Sequence, residues 1–98
     1  MTLEQVRTIL AEHRETLAHM GVLSLRVFGS VARGEAGPDS DVDFLIELDP
    51  ARRIDLLDFA HIKGELEDML GCTVDPVEPA AVKPRMRERV FGEAILAG

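Results

Sequence analysis

Two stretches of this chain place apolar residues at every second position, Val22–Phe28 and Asp41–Leu48, and the segment between them is too rich in Gly and Pro to continue either one. Alternation with period two is the pattern of a β-strand with unlike faces, so the chain is committed to a sheet. In the first stretch Leu23, Leu25 and Val27 share one side, with Ser24, Arg26 and Phe28 on the other. In the second, Val42, Phe44, Ile46 and Leu48 share one side, with Asp41, Asp43, Leu45 and Glu47 opposite. Gly29 ends the first strand, a helical turn is expected from Ser30 to about Glu35, and Gly37-Pro38-Asp39 marks a turn into the second strand.

The flanks carry helical periodicity. Thr2-Leu3-Glu4-Gln5 has the capping-box pattern of a helix start, and Leu3, Val6, Leu10, His13 and Leu17 follow at spacings of three and four, with Gly21 as the stop. His13 on that face reads as a packing residue. Asp49-Pro50 breaks the second strand. Ile54–Leu70 predicts a long helix with Leu57, Ile62, Leu66, Met69 and Leu70 toward the core, stopped by Gly71. Thr73–Val77 predicts a short strand that Pro76 confines to a sheet edge or a strand end. Pro84 suits the first turn of a last helix, Arg85 to about Ala94. The order predicts an α+β fold, a small mixed β-sheet with helices packed on one face. At 98 residues the expectation is a single domain, residues 1–98.

Hydrophobic residues are 46% of the chain, which excludes a disordered polypeptide. No apolar run approaches the roughly 20 residues of a membrane helix. The first residues have no secretory pattern. One cysteine, Cys72, excludes an internal disulfide and reads as a small packing residue, so a cytoplasmic protein is expected. Net charge is −7, which argues against direct nucleic-acid binding. Residues 33–49 concentrate six acids against one base, Arg33. Arg85, Arg87 and Arg89 give the last helix a basic face, most simply a solvated one, and His61 is expected on the surface of the long helix.

Chemistry gathers at Gly29-Ser30-Val31-Ala32-Arg33-Gly34, followed five residues later by Ser40-Asp41-Val42-Asp43. A strand that ends in Gly-Ser and runs into a helical turn offers free backbone N–H groups and a hydroxyl to an anion. Asp41 and Asp43, two apart on a strand, point to the same side. Their Cα atoms lie roughly 6.6 Å apart on an extended strand. At an effective dielectric of about 20 their charges repel by roughly 2.5 kcal/mol. Either water screens them, or one is protonated, or a cation lies between them. A divalent metal with oxygen ligands is the economical solution, and Mg²⁺ usually arrives with a phosphate. The spacing Gly29-x4-Gly34 also fits the first half of a P-loop, but Glu35 and Ala36 stand where Lys and Ser/Thr should follow, so that reading fails.

Gly-Ser-x-x-Arg-Gly followed by Ser-Asp-x-Asp resembles the signature of the nucleotidyltransferase (polymerase β-like) core of the DNA polymerase β superfamily. The short length resembles its minimal branch, the MNT proteins, which are antitoxin-like partners of HEPN-domain toxins. Seven specified positions at fixed spacing recur by chance on the order of 10⁻⁹ per starting residue. The resemblance implies three carboxylates, carried onto Asp41, Asp43 and, in Val74-Asp75-Pro76-Val77, Asp75. It implies that these hold two Mg²⁺ ions and that Asp75 accepts the acceptor's proton. Gly29 and Ser30 carry over as triphosphate binders, with Ser40 beside them. Arg33 either reaches a phosphate or pairs with a neighbouring acid. The implied activity moves NMP, AMP from ATP, onto an acceptor hydroxyl, a tyrosine of a HEPN-type toxin with which the chain forms a hetero-oligomer. An exposed apolar patch on so small a sheet would serve that contact. The alternatives are a catalytically silent antitoxin acting by contact and a stand-alone small-molecule nucleotidyltransferase.

Overall fold

The computed structural model describes residues 1–98. The elements run α1 (Leu3–Glu12), α2 (Arg14–His19), β1 (Val22–Phe28), α3 (Gly29–Ala32), β2 (Val42–Leu48), α4 (Leu56–Leu70), β3 (Val74–Val77), a 3-10 turn (Pro79–Ala81), α5 (Pro84–Glu93) and β4 (Ile95–Leu96). The capping box at Thr2 forms: Gln5 N–H donates to Thr2 Oγ1 at 3.2 Å and Thr2 N–H to Gln5 Oε1 at 2.9 Å. The single N-terminal helix expected from the periodicity is two helices, broken at His13. The His13 ring Nδ1 lies 2.9 Å from Ile9 O, the carbonyl that its own backbone N–H would reach in an unbroken helix. The backbone N–H bonds Leu10 O instead, and a side chain has replaced a rung of the ladder. His13 is thus a half-buried structural residue, not a ligand.

The sheet has the order β3-β2-β1-β4. β1 is antiparallel to both β2 and β4, and β2 is parallel to β3, so the sheet is mixed as expected. β3 lies at an edge, where Pro76 removes no interior ladder bond. β4 was not visible in the sequence. It is two residues long, and the residues after it continue on β1, with Ala97 N–H donating to Leu25 O at 2.8 Å.

Leu57, expected toward the core, is outside it, and Leu23 does not share the burial of Leu25 and Val27. Leu23 is 58% exposed. The β1–β2 register slips between Val22 and Ser24, and that bulge turns Leu23 out while Leu25 and Val27 stay buried. Leu57 is 81% exposed. It sits nine residues before Leu66, about 180° around a helix from the face that buries Ile62, Leu66 and Leu70. α4 starts at Leu56, two residues later than expected, because Asp55 and Asp58 form a capping box.

The main core joins Val6 and Leu10 of α1, Leu25 and Val27 of β1, Phe44 and Ile46 of β2, and Ile62 and Leu66 of α4. The other sheet face is not bare. Leu45 of β2 is buried against Val82 and Val90, so α5 covers part of the face that the sequence left open, while α1 and α4 take the expected side. No helix is long and apolar enough to cross a membrane.

Candidate active site

The sheet register brings the candidate residues together at one end. Phe28 of β1 is paired with Asp43 of β2, and Asp43 is paired in turn with Asp75 of β3. Cross-strand partners lie on the same sheet face, so Asp43 and Asp75 stand side by side about 4.8 Å apart at the backbone. Asp41 precedes β2 and is exposed, as is Asp75, whereas Asp43 is half-buried. The acid two residues upstream and the acid on the neighbouring strand thus flank the half-buried one.

Gly29 follows Phe28 and turns the chain with φ +72°, a left-handed conformation that costs an L side chain about 1–2 kcal/mol. A Cβ there would also overlap Asp43 Oδ2. The strand pairing seats the Gly-Ser turn directly against the central carboxylate, and only glycine permits that approach. Ser30 is the second residue of α3, directly after the turn at Gly29. The Gly-Ser turn and the carboxylates are therefore one structural unit.

The electrostatics of the unit are unbalanced. Burial pushes the Asp43 carboxyl above its ordinary range, the charges of Asp75 and Asp41 push it further, and Arg33 pulls the other way. Like charges are held together with little to neutralise them, and the donors are all hard carboxylate oxygens. That set fits a divalent cation such as Mg²⁺. As placed, no three acidic, histidine or cysteine side chains converge to the spacing of a single coordination sphere. Asp43 is paired directly with Asp75 across the strands, and Asp41 lies two residues upstream, just before β2.

Arg33 does not stand free. Its Nε bonds Glu35 at 3.0 Å and its Nη1 bonds Glu93 at 3.1 Å, which raises its pKa further. Of the two readings open in the sequence, the ion pair is the one observed. Ser40 Oγ accepts from Gly37 N–H at 2.9 Å and closes the turn before β2, so it serves loop geometry. Glu93, at the end of α5, was missed. Its Oε1 also accepts from Gly29 N–H at 3.0 Å. Sixty-four residues separate these partners, and no local pattern announces the contact. Cys72 is half-buried, with its thiol pushed up by burial, which leaves it a packing residue. Arg85, Arg87 and Arg89 face solvent.

A sheet that seats a Gly-Ser turn against paired carboxylates defines a nucleotidyltransferase core. The chain belongs to the nucleotidyltransferase domain family, which it matches over residues 3–97, and within it to the minimal nucleotidyltransferases. It is 38% identical over 96 residues to the protein adenylyltransferase MntA of Thermococcus cleftensis, covering 97% of this chain and 95% of that one. A solved chain described as a minimal nucleotidyltransferase superposes with a TM-score of 0.79 at 45% identity, covering 97% of this chain and 95% of its own. A crystal structure of a toxin–antitoxin with AMP-PNP shares the fold at a TM-score of 0.67 and 16% identity, covering 100% of this chain and 73% of that one.

Proposed function

We propose that residues 1–98 act as a single minimal domain that transfers AMP from ATP to a hydroxyl of a partner protein, a tyrosine of a HEPN-type toxin, and so serves as an antitoxin. The observation that carries this reading is the seating of Gly29 against Asp43, with Asp75 alongside. In this reading it brings phosphate oxygens and a cation within one side chain of each other. The protein adenylyltransferase name of the Thermococcus relative supports a protein as acceptor, and the toxin–antitoxin neighbour supports a toxin as partner.

In this reading Asp41, Asp43 and Asp75 hold Mg²⁺. When bound, the metal neutralises the triphosphate and lowers the pKa of the attacking hydroxyl. Ser30 and the Gly29 turn hold the phosphate oxygens so that the α-phosphorus faces the acceptor in line. Asp75 is exposed at the edge strand, where an incoming protein can reach it, and accepts the hydroxyl proton. The acceptor oxygen forms a bond to the α-phosphorus, the bond to the β-phosphate oxygen breaks, and pyrophosphate leaves with that electron pair. The protein's contribution is position and charge, which is what phosphoryl transfer demands.

In this reading the acceptor is a protein that brings its own surface. This chain presents Leu56 and Leu57 at one end of α4 and Leu23 and Leu96 on a groove of about 490 Å³, apolar surfaces a partner would bury. The test is intact-mass spectrometry of this chain co-purified with a HEPN toxin, before and after ATP and Mg²⁺. A gain of whole AMP units on the toxin is expected. Neutralised toxicity with unchanged toxin mass would replace this reading with a contact-only antitoxin. A small molecule adenylylated in the absence of any partner would replace it with a stand-alone enzyme.

A further inference from the structure

The backbone donor of the Gly-Ser turn already has an anion on it. Glu93 Oε1 accepts from Gly29 N–H at 3.0 Å, and Arg33 Nη1 reaches both oxygens of the same carboxylate, at 3.1 and 3.2 Å. The Glu93 side chain is only 22% exposed. Carboxylate and phosphate oxygens are interchangeable partners for an amide N–H and a guanidinium. One amide and one arginine hold this acid, and both are groups that would also bind a phosphate oxygen.

We propose that Glu93 is a built-in competitor for the phosphate seat: it fills the Gly29 amide and Arg33 in the nucleotide-free chain and must swing out before a triphosphate can use them. The proposal rests on the reading of this turn as the triphosphate site. Glu93 ends α5, which packs through Val90 on Leu45, so the competitor is tethered within reach of the seat and returns once the phosphate leaves. Apparent nucleotide affinity is then reduced by the fraction of molecules with the seat filled.

The test is titration calorimetry of the intact chain with Mg-ATP and with inorganic tripolyphosphate plus Mg²⁺, comparing wild type, Glu93→Gln and Glu35→Gln. Glu93→Gln keeps the shape and leaves an amide oxygen for Gly29 N–H, but removes the negative charge that pairs with Arg33. Charge-assisted hydrogen bonds are roughly twice as strong as neutral ones, so Glu93→Gln is expected to bind both probes about tenfold more tightly. Glu35 also pairs with Arg33 but does not touch Gly29, so Glu35→Gln measures the generic effect of losing one nearby charge, about threefold or less. Should Glu93→Gln not fold, Glu93→Ala is measured in its place with the same expectation. Equal or weaker binding by the Glu93 variant overturns the proposal and makes Glu93 a strut for Arg33. An equal gain from Glu35→Gln also overturns it, since charge alone would then explain the effect. If neither wild type nor variant binds either probe, the nucleotide reading of the site falls and this proposal with it.

Discussion

Asp43→Asn separates a functional carboxylate from a structural one, because the two make opposite predictions for stability. Asp43 is half-buried beside Asp75 and Asp41, and its pKa is raised by burial first and by those two charges next. For an acid raised on folding, the folded state binds the extra proton. Stability therefore falls as pH rises from the unfolded value, near 3.9, through the raised folded value, and the cost stays constant above it. Two charges about 6 Å apart repel by roughly 2.8 kcal/mol at an effective dielectric of 20. Asp75 and Asp41 are exposed, so solvent screening reduces the recoverable part to about 1 kcal/mol. For 98 residues, unfolding entropy of about 2.1 cal/mol/K per residue converts 1 kcal/mol into about 5 °C of Tm. Asp43→Asn should melt about 5 °C above wild type at pH 7, and the gain should vanish near pH 3, where the wild-type carboxyl is protonated in both states. Circular dichroism is the suitable assay, since the chain has no Trp or Tyr. A variant that melts below wild type at pH 7, or a gain that persists at pH 3, would refute the argument and make Asp43 a structural acid.

Other outcomes follow from the same geometry. Mg²⁺ should raise the wild-type Tm by neutralising Asp43 and Asp75, and should do so far less for Asp43→Asn; equal shifts in a thermal melt would mean the ion binds elsewhere. Gly29→Ala should lose about 1–2 kcal/mol from its positive φ and should lose AMP transfer more completely, because the new Cβ displaces the Asp43 carboxylate; urea unfolding and a transfer assay measure the two effects separately. Phe44→Ala empties a fully buried position and should cost about 3–5 kcal/mol, a large share of the roughly 5–15 kcal/mol that holds such a domain folded, as read from its urea midpoint. Leu57→Ala should change stability by less than about 0.5 kcal/mol, since that side chain meets solvent; a larger loss would return Leu57 to the core.

What the sequence determines by itself is everything that depends on short-range pattern. The alternation in Val22–Phe28 and Asp41–Leu48, the Thr2 box, the Gly71 stop and Pro84 at a helix start each place an element within a few residues, because the physics that selects them acts over one or two turns of chain. The Gly-Ser-x-x-Arg-Gly and Asp-x-Asp spacing is legible for the same reason: the strand and turn carrying it are contiguous. Asp75 was reachable through family resemblance, and the parallel register then set it beside Asp43. The tertiary structure alone decides what depends on distant partners. Leu23 leaves the core because β1 slips against β2, and a register belongs to two strands, not to one. β4 is a strand only because β1 is there to pair with it; two residues have no pattern of their own. Arg33 could face a phosphate or an acid, and the acid it meets here is Glu93, which the packing of α5 on Leu45 brings back across the sheet to the Gly29 amide.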